Sequence, residues 1–253
     1  MNTKAKWNDY AGSFAITAVL IGLWALVSSN RWISPVYLPT PGATFSSLMQ
    51  GWKTGDLWSL TAGTIERMCY GWVLASLIGI AIGSLIGVST RLRAWVQPML
   101  ELIRPLPASA IMPAAIALFG LSPTMVLFVI AFGAVWPVLL ATVHGFASVE
   151  PRLEEVARVL GLSRFGFVLK VGLPNALIDA FGGMRLSLTI SLILAVVGEM
   201  LAAQEGLGTA ILQAARSFRA ADLFAGVALL GMIGFVSNML LSLFERRMLS
   251  WKC

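Results

Sequence analysis

The sequence predicts an all-α integral membrane protein: six transmembrane helices, with a cytoplasmic two-helix insert between the fourth and the fifth. Three observations carry this. Of the 253 residues, 58% are apolar and 12% charged, with a mean hydropathy of +0.83. A soluble domain carries about 25% charge, so a water-facing globule and a disordered chain are both excluded. Six apolar stretches stand out at 11–28, 68–88, 99–119, 124–143, 177–203 and 223–243, close to the roughly 20 residues that cross a bilayer. Basic residues then alternate between the loops. Lys4, Lys6, Arg91, Arg93, Arg152, Arg158, Arg164, Lys170, Arg246, Arg247 and Lys252 fall on one side, and Arg31, Lys53, Arg216 and Arg219 on the other. Eleven against four, read with the positive-inside rule, requires an even number of spans and puts both termini in the cytoplasm. The net charge of +6 is scattered as singles between apolar runs, a membrane topology signal and not a nucleic-acid surface.

The expected organisation is an N-terminal span with an outer linker, 1–64, and a five-helix core, 65–253, that contains the insert at 148–174. Lys4 and Lys6 before the first span resemble a secretory signal, and Val27 and Ser29 meet the small-residue cleavage rule. Five further spans and the late Trp24 favour an uncleaved anchor. The linker carries Pro35, Pro39, Pro41 and Gly42 together with Trp32, Tyr37, Trp52 and Trp58. Aromatics of this kind populate the membrane–water boundary, so a partly ordered surface loop is expected.

In the second span Gly71, Ala75, Gly79, Gly83 and Gly87 recur every four residues on one helical face, the spacing that lets two membrane helices approach closely. The third carries prolines at 98, 105, 107 and 113. Each interior proline removes a hydrogen bond and crowds the preceding turn, so this helix is expected to be kinked or broken. Within it Glu101 and Arg104 can pair on one face; alternatively Arg104 attracts an anion toward the cytoplasmic exit. His144 closes the fourth span as a boundary residue.

The insert holds the densest charge in the chain. Leu153, Val156, Ala157 and Leu160 stand at i, i+3, i+4 and i+7, an amphipathic helix with Glu154, Glu155 and Arg158 on its other faces. Gly161 is placed to end it in the left-handed conformation. Ser163 can cap a second short helix, expected to stop near Pro174. A patterned knob of this size points to a docking surface.

In the fifth span Gly183, Ser187, Ser191 and Ala195 form a stripe leading to Glu199. Ser187, Ser191 and Glu199 are candidate pathway residues, with Arg104, because polar and ionisable groups inside spans default to function. Arg185 is expected to snorkel to the cytoplasmic face. Gly234, Asn238 and Ser242 make a shorter polar stripe in the sixth span.

Glu155-Val156-Ala157-x3-Gly161-x9-Val171-x-Leu173-Pro174 resembles the EAA loop of permease subunits of bacterial ABC importers. Val156 replaces an alanine and Val171 an isoleucine, both apolar. Leu38-Pro-Thr-Pro41, Leu102-Ile-Arg-Pro-Leu-Pro107, and Glu199-Met-Leu-Ala followed by Gly206-Leu-Gly208 resemble the nitrate/sulfonate/taurine branch. The likeness runs from about residue 35 onward, with Asn238 standing where many relatives carry aspartate.

The resemblance implies a type I ABC importer permease-like fold in the bacterial inner membrane and a homodimer of permeases. It implies two cytoplasmic ATPases that bind ATP and Mg, and a periplasmic or lipid-anchored binding protein. The cargo would be a sulfonate, taurine, nitrate or a similar small solute. It implies that Glu155, Ala157 and Gly161, closed by Leu173 and Pro174, dock the ATPase. Glu155 would supply charge, Ala157 close approach and Gly161 the bend. The sequence has no G-x-x-x-x-G-K-[ST] loop, so no cofactor is expected in this chain, and Cys69 and Cys253 have no metal-ligand spacing. Two other classes compete: an autonomous secondary transporter, and an intramembrane hydrolase built on the sole histidine, His144.

Overall fold

A computed structural model describes residues 3–103 and 106–249, and the described residues are mostly helical with no strand. In chain order the helices are α1 (Thr3–Ser29), α2 (Pro41–Thr54), α3 (Asp56–Val88), α4 (Thr90–Ile103), α5 (Met112–Phe119), α6 (Pro123–Ala147), α7 (Pro151–Val159), α8 (Arg164–Phe167), α9 (Leu173–Ala202), α10 (Leu207–Arg216) and α11 (Ala220–Met248). Among the described residues, α3, α6, the continuous run Phe165–Ala202, and α11 are each long and apolar enough to cross a bilayer. A fifth span arises if the bent pair Thr90–Ile103 and Ala108–Phe119 is counted as one, and Phe14–Ser29 is a shorter apolar helix. Only with that last segment is the expected six reached.

The chain divides into two compact units. One comprises Met1–Leu60 and Ala210–Gly231, the other Thr61–Thr209 and Met232–Cys253. The sequence placed the division at residue 64 and left 210–231 with the core. Two contacts draw that segment to the N-terminal unit: Trp24 stacks on Phe224 at 5.8 Å, and Ser47 Oγ donates to Asp222 Oδ1 at 2.6 Å. The linker after α1 is also more helical than its prolines implied. Thr40 accepts from the Ala43 N–H at 3.2 Å, Pro41 takes the first helical turn, and Gly55 closes α2 with φ +86°. Proline's missing N–H is harmless in a first turn, so Pro41 starts a helix where a loop was expected. α3 likewise begins at Asp56 and not at residue 68, because hydropathy marks where apolar character starts and not where the backbone becomes helical.

In the second unit α6 and α9 pack along most of their lengths, and α3 lies against both. The glycine stripe of α3 is the contact surface. A Cβ on Gly79 would sit 2.8 Å from Val138 Cβ, one on Gly83 2.7 Å from Thr142 Cβ, and one on Gly87 2.6 Å from Phe146 Cβ. Trp72 Nε1 donates to the Met184 carbonyl at 2.9 Å, joining α3 to α9. The α9 stripe faces α6: a Cβ on Gly183 would meet the Pro137 carbonyl oxygen at 2.6 Å and Val138 Cα at 3.0 Å. Those are backbone atoms and cannot rotate away. Gly183→Val is therefore expected to destabilise the fold by about 1–3 kcal/mol through overpacking, read as a lowered thermal midpoint of the detergent-solubilised chain.

The third span is broken as the prolines required. α4 contains Pro98, a 3₁₀ turn spans Ala108–Ile111, and Pro113 sits in the first turn of α5. The two halves are inclined by 80°. Arg104 lies outside the described residues. Pro174, by contrast, does not end a helix. A π-helical turn over Val168–Gly172 precedes it, and the Leu173 N–H reaches back to the Val168 carbonyl. A proline ring collides with the carbonyl four residues earlier; widening the turn to i→i−5 relieves the collision and lets the helix run on. The second arm of the insert is thus continuous with the α9 span.

Candidate functional site

The insert is built from α7 and α8. Pro151 occupies the first turn of α7, and the helix stops as Gly161 enters the left-handed region at φ +68°. The Leu162 N–H donates to the Ala157 carbonyl at 2.9 Å and the Gly161 N–H to the Arg158 carbonyl at 3.0 Å, the paired bonds of a Schellman cap. Ser163 Oγ then accepts from the Gly166 N–H at 3.1 Å and caps α8. Apolar side chains of the insert are exposed: Leu160 is 71% exposed, Val159 87% and Phe165, on α8, 72%. Leu153 and Val156 are also exposed, as are Glu155 and Gly161. Ala157 is buried, and Leu173 and Pro174 are half-buried at the base of α9.

The two roots of the insert are pinned together. Asn175 Nδ2 donates to the Gly145 carbonyl at 2.8 Å and to Ser148 Oγ at 3.2 Å. A Cβ on Gly145 would lie 2.5 Å from Ala176 Cα. The end of α6 and the start of α9 therefore meet backbone to backbone, and a displacement of α7 reaches both spans.

At the other end of α9, Glu199 is fully buried and fully bonded. Arg67 Nη1 donates to Oε1 at 2.7 Å, while Thr64 Oγ1 and the Gly208 N–H donate to Oε2 at 3.0 and 2.9 Å. Arg67 Nη2 also donates to the Glu205 carbonyl at 2.7 Å, and Thr64 Oγ1 accepts from the Leu207 N–H at 2.9 Å. A carboxylate taken from water needs such partners. The glycines of Gly206-Leu-Gly208 make room for it: a Cβ on Gly206 would overlap the Glu199 carboxyl, and one on Gly208 would overlap the Val196 carbonyl. The cluster clasps α3, α9 and the 203–208 turn.

The other pathway candidates on α9 lie inside its packing. Ser187 is fully buried and donates to the Ala134 carbonyl at 2.7 Å; Ser191 is fully buried with its hydroxyl unpartnered among the described residues. Arg185, expected to snorkel, is half exposed and pairs with Glu245 of α11. A groove of about 620 Å³ opens beside these residues between α6 and α9. Asp179, Gly182, Leu186 and Ile190 line it from α9, and Trp136 and His144 from α6. Asp179 and Arg67 were passed over in the sequence. Both sit within a residue or two of a span boundary, where the rule that intramembrane charges are functional candidates would have flagged them. Among the described residues, no three of His, Cys, Asp and Glu come together to hold a metal.

Residues 75–250 match the family model described as binding-protein-dependent transport system inner membrane component. The chain is 32% identical to the taurine transport system permease protein TauC of Escherichia coli (strain K12), over 94% of this chain and 89% of that one. It is 29% identical to the nitrate import permease protein NrtB of Leptolyngbya laminosa, over 90% and 84%. Among solved structures it resembles the MetNI methionine ABC transporter in inward-facing conformations, with TM-score 0.65 and 17% identity over 77% of this chain and 94% of that chain. It also resembles an amino acid ABC transporter, with TM-score 0.62 and 21% identity over 79% and 97%.

Proposed function

The chain belongs to the binding-protein-dependent transport system inner membrane component family, and from that premise we propose that it forms the membrane pathway of an ATP-driven importer whose energy enters through α7. The observation that carries this is the set of exposed apolar side chains on the insert. α7 lies outside the candidate spans, so its exposed Val156, Val159 and Leu160 are not sheltered by lipid tails. Apolar patches rimmed by charge mark sites of protein association. The partner is a separate ABC ATPase, one for each copy of a permease homodimer, holding ATP and Mg. Glu155 supplies a charged contact, Gly161 the bend, and Leu173 and Pro174 join the foot to α9. Ala157, on the buried side of α7, seats the foot on its own chain.

Both termini and α7 face the cytoplasm, and a periplasmic or lipid-anchored binding protein delivers the solute on the opposite face. The solute is a small molecule of the kind its relatives are named for, taurine and nitrate among them. Ser187 shapes the pathway from behind by bonding α9 to α6, Ser191 only by its small buried side chain, and Glu199 by fixing the outer end of α9. Arg104 stands as a candidate for the inner mouth.

Capture of the co-expressed ATPase tests the reading. Leu160→Asp puts a charge into the proposed contact without touching the core. It is expected to lower the ATPase retained on the tagged chain by about tenfold, the equivalent of one lost anchor residue, with membrane insertion unchanged. Undiminished capture would remove α7 as the docking element.

A further inference from the structure

We propose that the groove between α6 and α9 is a station for the transported solute, and that it takes a solute carrying an ammonium group on a compact apolar body. The inference rests on the importer reading and narrows the cargo. At about 620 Å³ the groove falls in the size range of small-molecule sites, which are mostly apolar with a few placed polar groups. Leu106, Pro137, Leu140 and Ile190 supply apolar wall. Asp179 supplies a carboxylate that has no hydrogen bond or ion pair among the described residues. An ionisable residue within a span is retained where it faces a cavity or a partner, and Asp179 lines the cavity. The described lining carries the Asp179 carboxylate and no lysine or arginine. The adjoining cavity of about 500 Å³, which shares Leu140 and His144, carries Arg93 and Glu101, one charge of each sign.

A second feature points to the same chemistry. Phe128, Phe132 and Trp136 repeat every four residues on one face of α6, with ring centroids 6.2 and 5.7 Å apart, and Phe119 of α5 extends the row at 5.2 Å from Phe128. The row ends in the groove at Trp136. Aromatic faces attract cations and apolar bodies alike, tryptophan most strongly. A carboxylate and an indole lining one cavity together form a recognition site for an organic ammonium. The groove also adjoins the pinned roots of the insert, so a movement of α7 alters its walls.

Equilibrium dialysis of the full chain in phosphatidylcholine nanodiscs tests this, with benzylammonium and benzoate as probes of similar size and opposite charge and with empty nanodiscs subtracted. Benzylammonium is expected to bind at least about tenfold more tightly than benzoate. Asp179→Asn is expected to bring the two within about twofold and Asp179→Glu to restore the preference. Trp136→Leu is expected to weaken both probes. Equal affinities, a preference for benzoate, a preference that survives Asp179→Asn, or no saturable binding of either probe would overturn the inference. ATPase capture through α7, measured on the same wild-type preparation, reports on the importer reading independently of any of these results.

Discussion

Gly161→Leu is expected to reduce ATP-driven uptake roughly tenfold while leaving the chain inserted and the permease assembled. The magnitude follows from the backbone. Gly161 holds φ +68°, and a residue with a Cβ there costs about 1–2 kcal/mol, a factor of roughly 5–30 in how often the α7–α8 bend is correctly formed. The space around Gly161 is open, and a Cβ added there would meet no atom within 4 Å, so the effect is conformational and not a clash within the chain. Gly161→Asn is the control, because asparagine enters the left-handed region readily. It should retain most of the uptake. ATP hydrolysis measured beside uptake completes the test: hydrolysis persisting in Gly161→Leu without transport is the uncoupled state. Normal transport by Gly161→Leu would withdraw the bend from the coupling path.

Arg67→Ala is expected to produce the largest loss of stability. Removing one partner of a buried ion pair costs about 3–5 kcal/mol, because the other charge stays buried without compensation. Glu199 is fully enclosed and Arg67 largely so. Two hydrogen bonds, from Thr64 and Gly208, remain to the carboxylate and keep the loss toward the lower bound. Glu199→Gln should be milder, since the amide keeps the shape and an acceptor oxygen while Arg67 retains the Glu205 carbonyl. Thermal inactivation of the purified chain should rank wild type, Glu199→Gln and Arg67→Ala in falling order. Equal stability of Arg67→Ala and wild type would show that the clasp contributes nothing to the fold.

The parts of this molecule legible in the sequence are those set by local chemistry. Gly161 and Ser163 signalled two helix boundaries through backbone sterics and capping, and both stand as expected. The four-residue repeat of small residues on α3 signalled close packing, and its glycines meet α6. Prolines clustered near 105 signalled a break, and the helices on either side diverge. The parts that were not legible depend on what a residue's distant neighbours do. Pro174 looked like a stop because its effect was weighed locally; a π turn upstream absorbs it. Ser187 and Glu199 looked like pathway residues because hydroxyls and carboxylates are expensive in a span. Their partners, the Ala134 carbonyl and the Arg67 side chain, lie 53 and 132 residues away. The same costliness applies to Asp179, and there it identifies a residue that does open onto a cavity. Hydropathy and burial together locate the groove; hydropathy alone does not.

The central claim is that force from a separate ATPase enters through α7 and moves the spans rooted in it. Uptake into sealed vesicles tests it most directly, with the chain reconstituted alone and then together with its ATPase and binding protein. The account predicts uptake only in the complete assembly and only with ATP present. Uptake by the chain alone, driven by an ion gradient without nucleotide, would contradict it.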